Sequence, residues 1–167
     1  MKKIEFEDIQ IELLKQLKKG VFLNTKVGDE LNSMTIAWGL SGYIWNKECF
    51  SVAVRYSRHT YEMMEKSEYF TISIPASGEM KKELGICGSK SGRDIDKFAE
   101  TNMTATYLDG FPVPTIEECH IHILCKIAYK QSMEPSLIKA NYVEKCYDDK
   151  DYHVLYHGEV LSVYMSE

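Results

Sequence analysis

Apolar and polar residues alternate along much of this chain, in short runs separated by turn-forming residues. Alternation with a period of two is typical of a half-buried strand, and β-branched and aromatic residues favour strands. The pattern predicts strands at 21–24, 34–40 with a continuation at 43–45 beyond a bend near Ser41-Gly42, 49–54, 69–74, 103–107, 120–129 and 153–164. Because short turns connect most of these segments, we expect an antiparallel barrel and not alternating strand–helix units.

A few segments show helical spacing instead. The apolar residues Ile9, Leu13, Leu14 and Leu17 mark one face of a helix over 6–18, and Gly20 stands where a C-cap is expected. Shorter helices are predicted at 61–66, 79–84 and 94–100, whereas 134–141 fits neither period. The predicted fold is therefore mainly β with short helices, in a single domain over residues 1–167.

Length and charge exclude several classes of protein. A chain of 167 residues buries enough surface to fold without a disulfide or a metal. The formal net charge of −5 argues against a nucleic-acid partner, because phosphate contacts call for a basic surplus. No apolar run approaches the roughly 20 residues that cross a bilayer, and no apolar signal segment follows the first residues, so we expect a cytoplasmic protein with no membrane partner.

The five cysteines are irregularly spaced, which fits free thiols in a reducing compartment. The segment 119–125 contains two cysteines and two histidines and raises the possibility of a zinc site. In a strand, however, His120 and His122 share one face, while Cys119 and Cys125 lie on the other, about 20 Å apart. We therefore expect no metal site, and we expect both histidines at the surface or at an interface.

One basic hexapeptide follows a predicted strand and opens a predicted helix: Arg55-Tyr56-Ser57-Arg58-His59-Thr60. The free amides of a helix N-terminus attract anions, and arginine can hold a phosphate through two parallel hydrogen bonds. These residues therefore form a candidate phosphate loop. The alternative is that Ser57 or Thr60 only caps the helix and that both arginines are solvated.

A second glycine- and serine-rich segment covers residues 87–98. Ser89, Lys90, Ser91 and Arg93 supply hydrogen-bond donors and positive charge, and Asp94 is a candidate helix cap. The spacing matches neither a P-loop nor a Rossmann fingerprint. A mobile surface loop is the alternative, and Cys87 is either a reactive thiol beside positive charge or a small buried residue.

A third segment, residues 32–38, leads from polar residues into an apolar strand and ends at Trp38. A strand with exposed amides beside an aromatic side chain suits a flat ring with one polar and one apolar edge. The alternative is an ordinary strand with Trp38 in the core.

Taken in order, these segments resemble the flavin reductase-like family, and its flavoredoxin branch in particular. The similarity covers roughly residues 20–160 and includes the segments 32–38, 54–60, 70–75, 91–98 and a weaker match at 156–160. Two positions depart from the family pattern: Tyr56 replaces a frequent proline, and Glu159 follows Gly158 in place of a second glycine.

The resemblance implies an FMN-binding split β-barrel that forms a homodimer with one FMN per subunit. It implies that the Arg55 loop holds the phosphate, that residues 32–38 flank the ring, and that the 89–93 loop closes over the flavin with Lys90 near the pyrimidine edge or the phosphate. The implied cofactor-binding residues are Asn32, Ser33, Met34, Thr35, Trp38, Arg55, Ser57, Arg58, Thr60, Ser89, Lys90, Ser91 and Arg93.

The implied function is redox chemistry in which electrons pass from NAD(P)H through bound FMN to an unknown acceptor. The flavin supplies that chemistry, so no side-chain acid or base is assigned as catalytic. The alternative is an FMN-binding electron carrier or sensor that is not an enzyme.

Overall fold

The computed structural model describes residues 1–166. In this part of the chain ten strands are found, and eight of them form one antiparallel sheet. The strands are β1 (Lys2–Ile4), β2 (Val21–Val27), β3 (Glu30–Ile36), β4 (Gly39–Ile44), β5 (Lys47–Arg55), β6 (Tyr69–Ile74), β7 (Ala105–Thr106), β8 (Thr115–Ile116), β9 (Ile121–Ser132) and β10 (His153–Met165).

Short helices connect and cover the strands. They are α1 (Gln10–Leu17), α2 (His59–Met64), α3 (Lys81–Ser89), α4 (Lys97–Thr101) and α5 (Asn141–Glu144), with single 3-10 turns at Phe6–Ile9, Pro135–Leu137 and Lys145–Tyr147. No helix within residues 1–166 is long and apolar enough to cross a membrane.

The strand order explains how the sheet closes. It runs β3-β2-β6-β9-β10-β5-β4, with β1 added beside β10 and with β7 and β8 forming a separate pair. The two edge strands, β3 and β4, are consecutive in the chain and only Ala37 and Trp38 separate them. The sheet therefore curls until its edges approach each other without pairing, which makes a split barrel, as predicted.

The interior of the barrel is filled by apolar side chains from β2, β3, β5, β6, β9 and β10. Phe50, Phe70, Ile72, Ile123 and Tyr156 are fully buried there. Helix α1 packs Leu13 and Leu17 against the same cluster, as its predicted apolar face requires.

The predicted bend near Ser41-Gly42 is wrong. Both residues lie inside β4, and the chain leaves the sheet earlier, at Ala37-Trp38. The real turn after β4 is at Trp45-Asn46, where φ is 55° and 58°. Two successive positive φ values are the geometry of a tight hairpin turn. A prediction that locates turns by glycine misses this one, because a tryptophan occupies its first central position.

The prediction that His122 lies at the surface or at an interface is also wrong. His122 is fully buried, and its Nδ1 lies 3.3 Å from the hydroxyl of Ser73. The segment leading through β8 covers this face of the sheet, where the Ile116 amide donates to the same hydroxyl. Burial lowers the pKa of His122 to about 4, so the imidazole is neutral at physiological pH.

All five cysteines are free thiols. Within the described residues, no group of three or more His, Cys, Asp or Glu side chains could hold a metal ion.

Gly158 gives a direct test of the packing at the centre of the sheet. A Cβ at this position would lie 2.6 Å from Phe70 Cε1 and 2.9 Å from Cys125 Cβ, both in the closed core. We expect Gly158→Ala to lower the free energy of unfolding in urea by roughly 1–3 kcal/mol, as overpacking does.

The matched control is Gly85→Ala at an exposed position of α3, where nothing lies within 4 Å of an added Cβ. There the free energy of unfolding should stay level or rise by up to about 1 kcal/mol, since a helix glycine is entropically costly. Equal effects of the two substitutions would contradict the described packing.

Candidate functional site

Two adjoining cavities open beside the gap between the sheet edges. Cavity one is lined by Met34, Thr35, Ile36, Ala37, Trp38, Ala53, Arg55, Arg58 and His153. Cavity two is lined by Met34, Ser57, Arg58, His59, Thr60, Cys87, Ser89, Lys90, Ser91, Gly92, Arg93 and Lys97. The two cavities meet at Met34 and Arg58, which line both. Every predicted site residue except Asn32 and Ser33 lines at least one of them.

Cavity one is mainly apolar and flanked by rings. Trp38 leaves β3 at the sheet edge and remains 48% exposed, so the alternative of a core tryptophan does not hold. Its ring centroid lies 5.3 Å from that of His153 at the start of β10. Ala53 on β5 contributes only a methyl group to the same cavity, which leaves room for a flat ligand.

His153 is a site residue that sequence reasoning missed. It is buried, and its Nδ1 shares a 2.7 Å hydrogen bond with the hydroxyl of Tyr147. Burial, together with the nearby charge of Arg55, lowers the pKa of His153 to about 4. The cavity therefore presents a neutral imidazole, and no feature of the sequence distinguishes this histidine from the others.

Cavity two lies between the start of α2 and the loop that joins α3 to α4. Arg58 is the N-cap residue of α2, and its side chain makes no capping hydrogen bond. Thr60 is buried and accepts from Asn32 Nδ2 at 2.9 Å, while Ser57 bonds elsewhere. The alternative in which Ser57 or Thr60 caps the helix is therefore wrong.

Asn32 and Ser33 shape the site from behind. The Asn32 side chain packs against Gly92, where an added Cβ would overlap Asn32 Oδ1 and lie 2.9 Å from His59 Cδ2. The Ser33 carbonyl accepts from the Lys97 ammonium at 2.8 Å. Both residues thus hold the 90–97 loop close to β3 without lining either cavity.

The second predicted loop begins later than expected. Residues Cys87 to Ser89 form the last turn of α3, and Lys90 is its C-cap. Asp96, not Asp94, caps α4 by accepting from the amides of Phe98 and Ala99. Glycine and serine suggested a loop, but the Ser89 hydroxyl donates to the Gly85 carbonyl one turn earlier and completes the helix.

The two arginines of the hexapeptide have different environments. The Arg55 guanidinium donates to Asp149 at 3.1 Å and to the carbonyls of Asp151 and Cys146 at 2.7 and 2.8 Å. Arg58 has a single, long bond to the Gly88 carbonyl, at 3.4 Å. Arg55 therefore holds the segment before β10, and Arg58 remains available at the junction of the cavities.

Two further contacts restrict the predicted phosphate ligands. The Asp151 carboxylate accepts from the Ser57 hydroxyl at 2.5 Å and from the Ser57 amide at 3.2 Å. Arg93 donates to Glu62 at 2.6 Å and to the Ser57 carbonyl at 3.2 Å, which ties the 90–97 loop to α2. Arg93 is thus already paired with a carboxylate.

Cys87 borders cavity two but is only 1% exposed. Burial raises the pKa of its thiol to about 11, although the nearby Lys97 acts in the opposite direction. The buried-residue interpretation of Cys87 is therefore correct, because a reactive cysteine needs thiolate character and access.

Residues 14–167 match the family described as flavin reductase like domain. The chain belongs to the flavin reductase-like family. A search of curated proteins found no match for this family member.

Solved structures of other flavin reductase-like proteins share its fold. Flavoredoxin from Methanosarcina acetivorans is 23% identical, with a TM-score of 0.69 over 89% of this chain and 68% of that one. Flavoredoxin of Desulfovibrio vulgaris is 22% identical, with a TM-score of 0.69 over 89% of this chain and 69% of that one. An FMN-binding domain of a flavin reductases-like enzyme from Shewanella baltica is 19% identical, with a TM-score of 0.68 over 98% of this chain and 76% of that one.

The contrast between the two arginines of this flavin reductase-like chain can be measured without any ligand. Arg55→Met removes two partly buried, charge-assisted hydrogen bonds to the Asp151 and Cys146 carbonyls and an exposed ion pair with Asp149. It should lower the free energy of unfolding by roughly 1–3 kcal/mol. Arg58→Met should change it by less than about 0.5 kcal/mol, as an exposed substitution does. Urea unfolding at neutral pH gives both values, and a larger loss for Arg58→Met would contradict the assignment.

Proposed function

We propose that this chain binds FMN across the two cavities and passes electrons from NAD(P)H through it to an acceptor. One observation carries the proposal: an apolar cavity flanked by Trp38 and a cationic cavity at Arg58 adjoin each other. A flavin nucleotide has the same two parts, a flat ring and a phosphate monoester.

The size of the cavities supports a ligand that spans both. Their volumes are about 210 Å³ and about 120 Å³, and each alone is below the roughly 300–1,000 Å³ of typical ligand sites. Because they share Met34 and Arg58, an elongated ligand can occupy them together.

The residues of cavity one fit the ring. Met34 and Ala53 offer apolar surface, Trp38 offers an aromatic face, and the neutral His153 adds no charge beside it. When bound, FMN would supply the hydride and single-electron chemistry. The side chains named here bind and orient it and keep water from part of its surface.

The residues of cavity two fit the phosphate. Arg58 is not paired with a carboxylate, the first amides of α2 are nearby, and Ser91 and Lys90 add donors. Lys90 lies in cavity two and does not line cavity one, so we assign it to the phosphate and not to the pyrimidine edge. We assign Arg55 and Arg93 a structural role in the loops around the cavity, because each already forms an ion pair with a carboxylate.

A visible spectrum followed by an anaerobic titration tests this function. Purified protein given FMN should show flavin bands that NADH or NADPH bleaches and an added acceptor restores over many turnovers. Arg58→Met should weaken FMN binding by roughly 10- to 100-fold, the value of one charge-assisted hydrogen bond.

The other outcomes are equally informative. A yellow protein that neither nucleotide bleaches would favour a carrier or sensor over a reductase. A colourless protein with no affinity for added FMN would contradict the proposal as a whole.

A second copy of this chain is the partner that we propose for its outer sheet face. Leu40 and Ile44 on β4 are exposed there, beside Trp45 and Tyr129, whose ring centroids lie 5.9 Å apart. The same face continues through Ala53 into cavity one. Large exposed apolar surfaces mark interaction sites, and the family resemblance points to a homodimer.

The five free thiols are consistent with a cytoplasmic location, which we also propose.

Two substitutions on one strand test the dimer. Leu40 and Tyr43 are both 72% exposed but lie on opposite faces of β4. In light scattering at micromolar concentration we expect the wild type and Tyr43→Glu to be dimers and Leu40→Glu to be a monomer. A monomeric wild type, or equal effects of both substitutions, would refute the interface.

A further inference from the structure

Cavity two contains three cations that lack a carboxylate partner in the part of the chain that the structure describes. Arg55 and Arg93 form ion pairs with Asp149 and Glu62. Arg58, Lys90 and Lys97 form none, and all three line this cavity. The uncompensated positive charge therefore borders cavity two from both sides, with Arg58 at the start of α2 and Lys90 and Lys97 at the ends of the loop that joins α3 to α4.

Lys97 differs from the other two because it is buried. It is the first residue of α4, and its exposed fraction is 5%. Its side chain passes beneath the loop that joins α3 to α4 and reaches β3. The Nζ atom donates to the carbonyl of Ser33 at 2.8 Å and to that of Cys87 at 3.1 Å. An ammonium has three N–H groups, so these two carbonyls leave one unused.

A buried cation without a counter-ion is costly, because burial removes its hydration. The pKa of Lys97 is lowered by this burial, and the charge of Arg58 adds to the effect. Two neutral carbonyls compensate the charge only in part. An anion brought into cavity two beside the buried Nζ atom would complete the compensation through a charge-assisted hydrogen bond.

We infer that Lys97 is a further ligand-binding residue, the buried counter-charge for the phosphate monoester, and that it makes the site select FMN over riboflavin. This inference rests on the proposed function. It concerns specificity, since an exposed lysine such as Lys90 is screened by water and contributes less to the choice between a phosphorylated and an unphosphorylated flavin.

The test compares Kd values for FMN and riboflavin, measured by fluorescence quenching, in the wild type and in Lys97→Met. We expect the Kd for FMN to rise roughly 10- to 100-fold and the Kd for riboflavin to change less than about 3-fold. Lys82→Met, an exposed lysine on α3 outside both cavities, is the control and should leave both constants unchanged.

The outcomes separate this inference from the proposed function. If the wild type binds neither flavin, the proposed function fails. If the wild type binds FMN and Lys97→Met keeps the same ratio of the two constants, Lys97 only pins the carbonyls of Ser33 and Cys87, and the inference is overturned.

A second measurement covers the case in which Lys97→Met does not fold. In the wild type, the ¹⁵N chemical shift of the Lys97 Nζ atom, measured by NMR of the lysine side chains, should change when FMN is added and stay unchanged with riboflavin. Equal shifts with both flavins, or none with FMN, would overturn the inference.

Discussion

The rest of the structure depends on one constraint: the two edge strands of the sheet are consecutive in the sequence and are joined by a very short link. Strands β3 and β4 end the strand order on opposite sides, yet only Ala37 and Trp38 connect them. A twisted antiparallel sheet with such a short link between its edges has to curl through its whole width. The curl encloses the apolar core, and it leaves an unpaired gap beside which both cavities open.

Charge compensation inside the chain then divides the polar residues around that gap into two groups. Arg55, Arg93 and Ser57 are bound to carboxylates of α2 and of the segment before β10, so they hold neighbouring elements in place. Arg58 and Lys97 lack such partners and leave an excess of positive charge at the site. Residues of the same type, a few positions apart, thus carry out different physical tasks.

The hydrophobic pattern predicted a mainly β chain, the family resemblance added the split barrel, and basic and hydroxyl residues predicted the neighbourhood of the site. The period-two segments predicted the long strands, and the bounds of β6 agree with the structure. Hydroxyl and basic residues indicated the loops that border cavity two. Long-range contacts were not predictable in this way: neither the engagement of Arg55 by Asp149 nor the burial of His122 has a local signal. Lys97 also lies in a polar segment whose composition is typical of an exposed loop, and only the packing of α4 against β3 buries it.

The contact between Asp151 and Ser57 has a consequence for the loop itself. An internal carboxylate already satisfies the Ser57 amide and hydroxyl, so this part of the loop is ordered before any ligand arrives. Preorganisation of this kind lowers the conformational entropy that association would otherwise cost. The same carboxylate sets a minimum distance for a second anion, since like charges repel. Under the proposed function, the aspartate would act as a spacer that limits where along the loop a phosphate can lie.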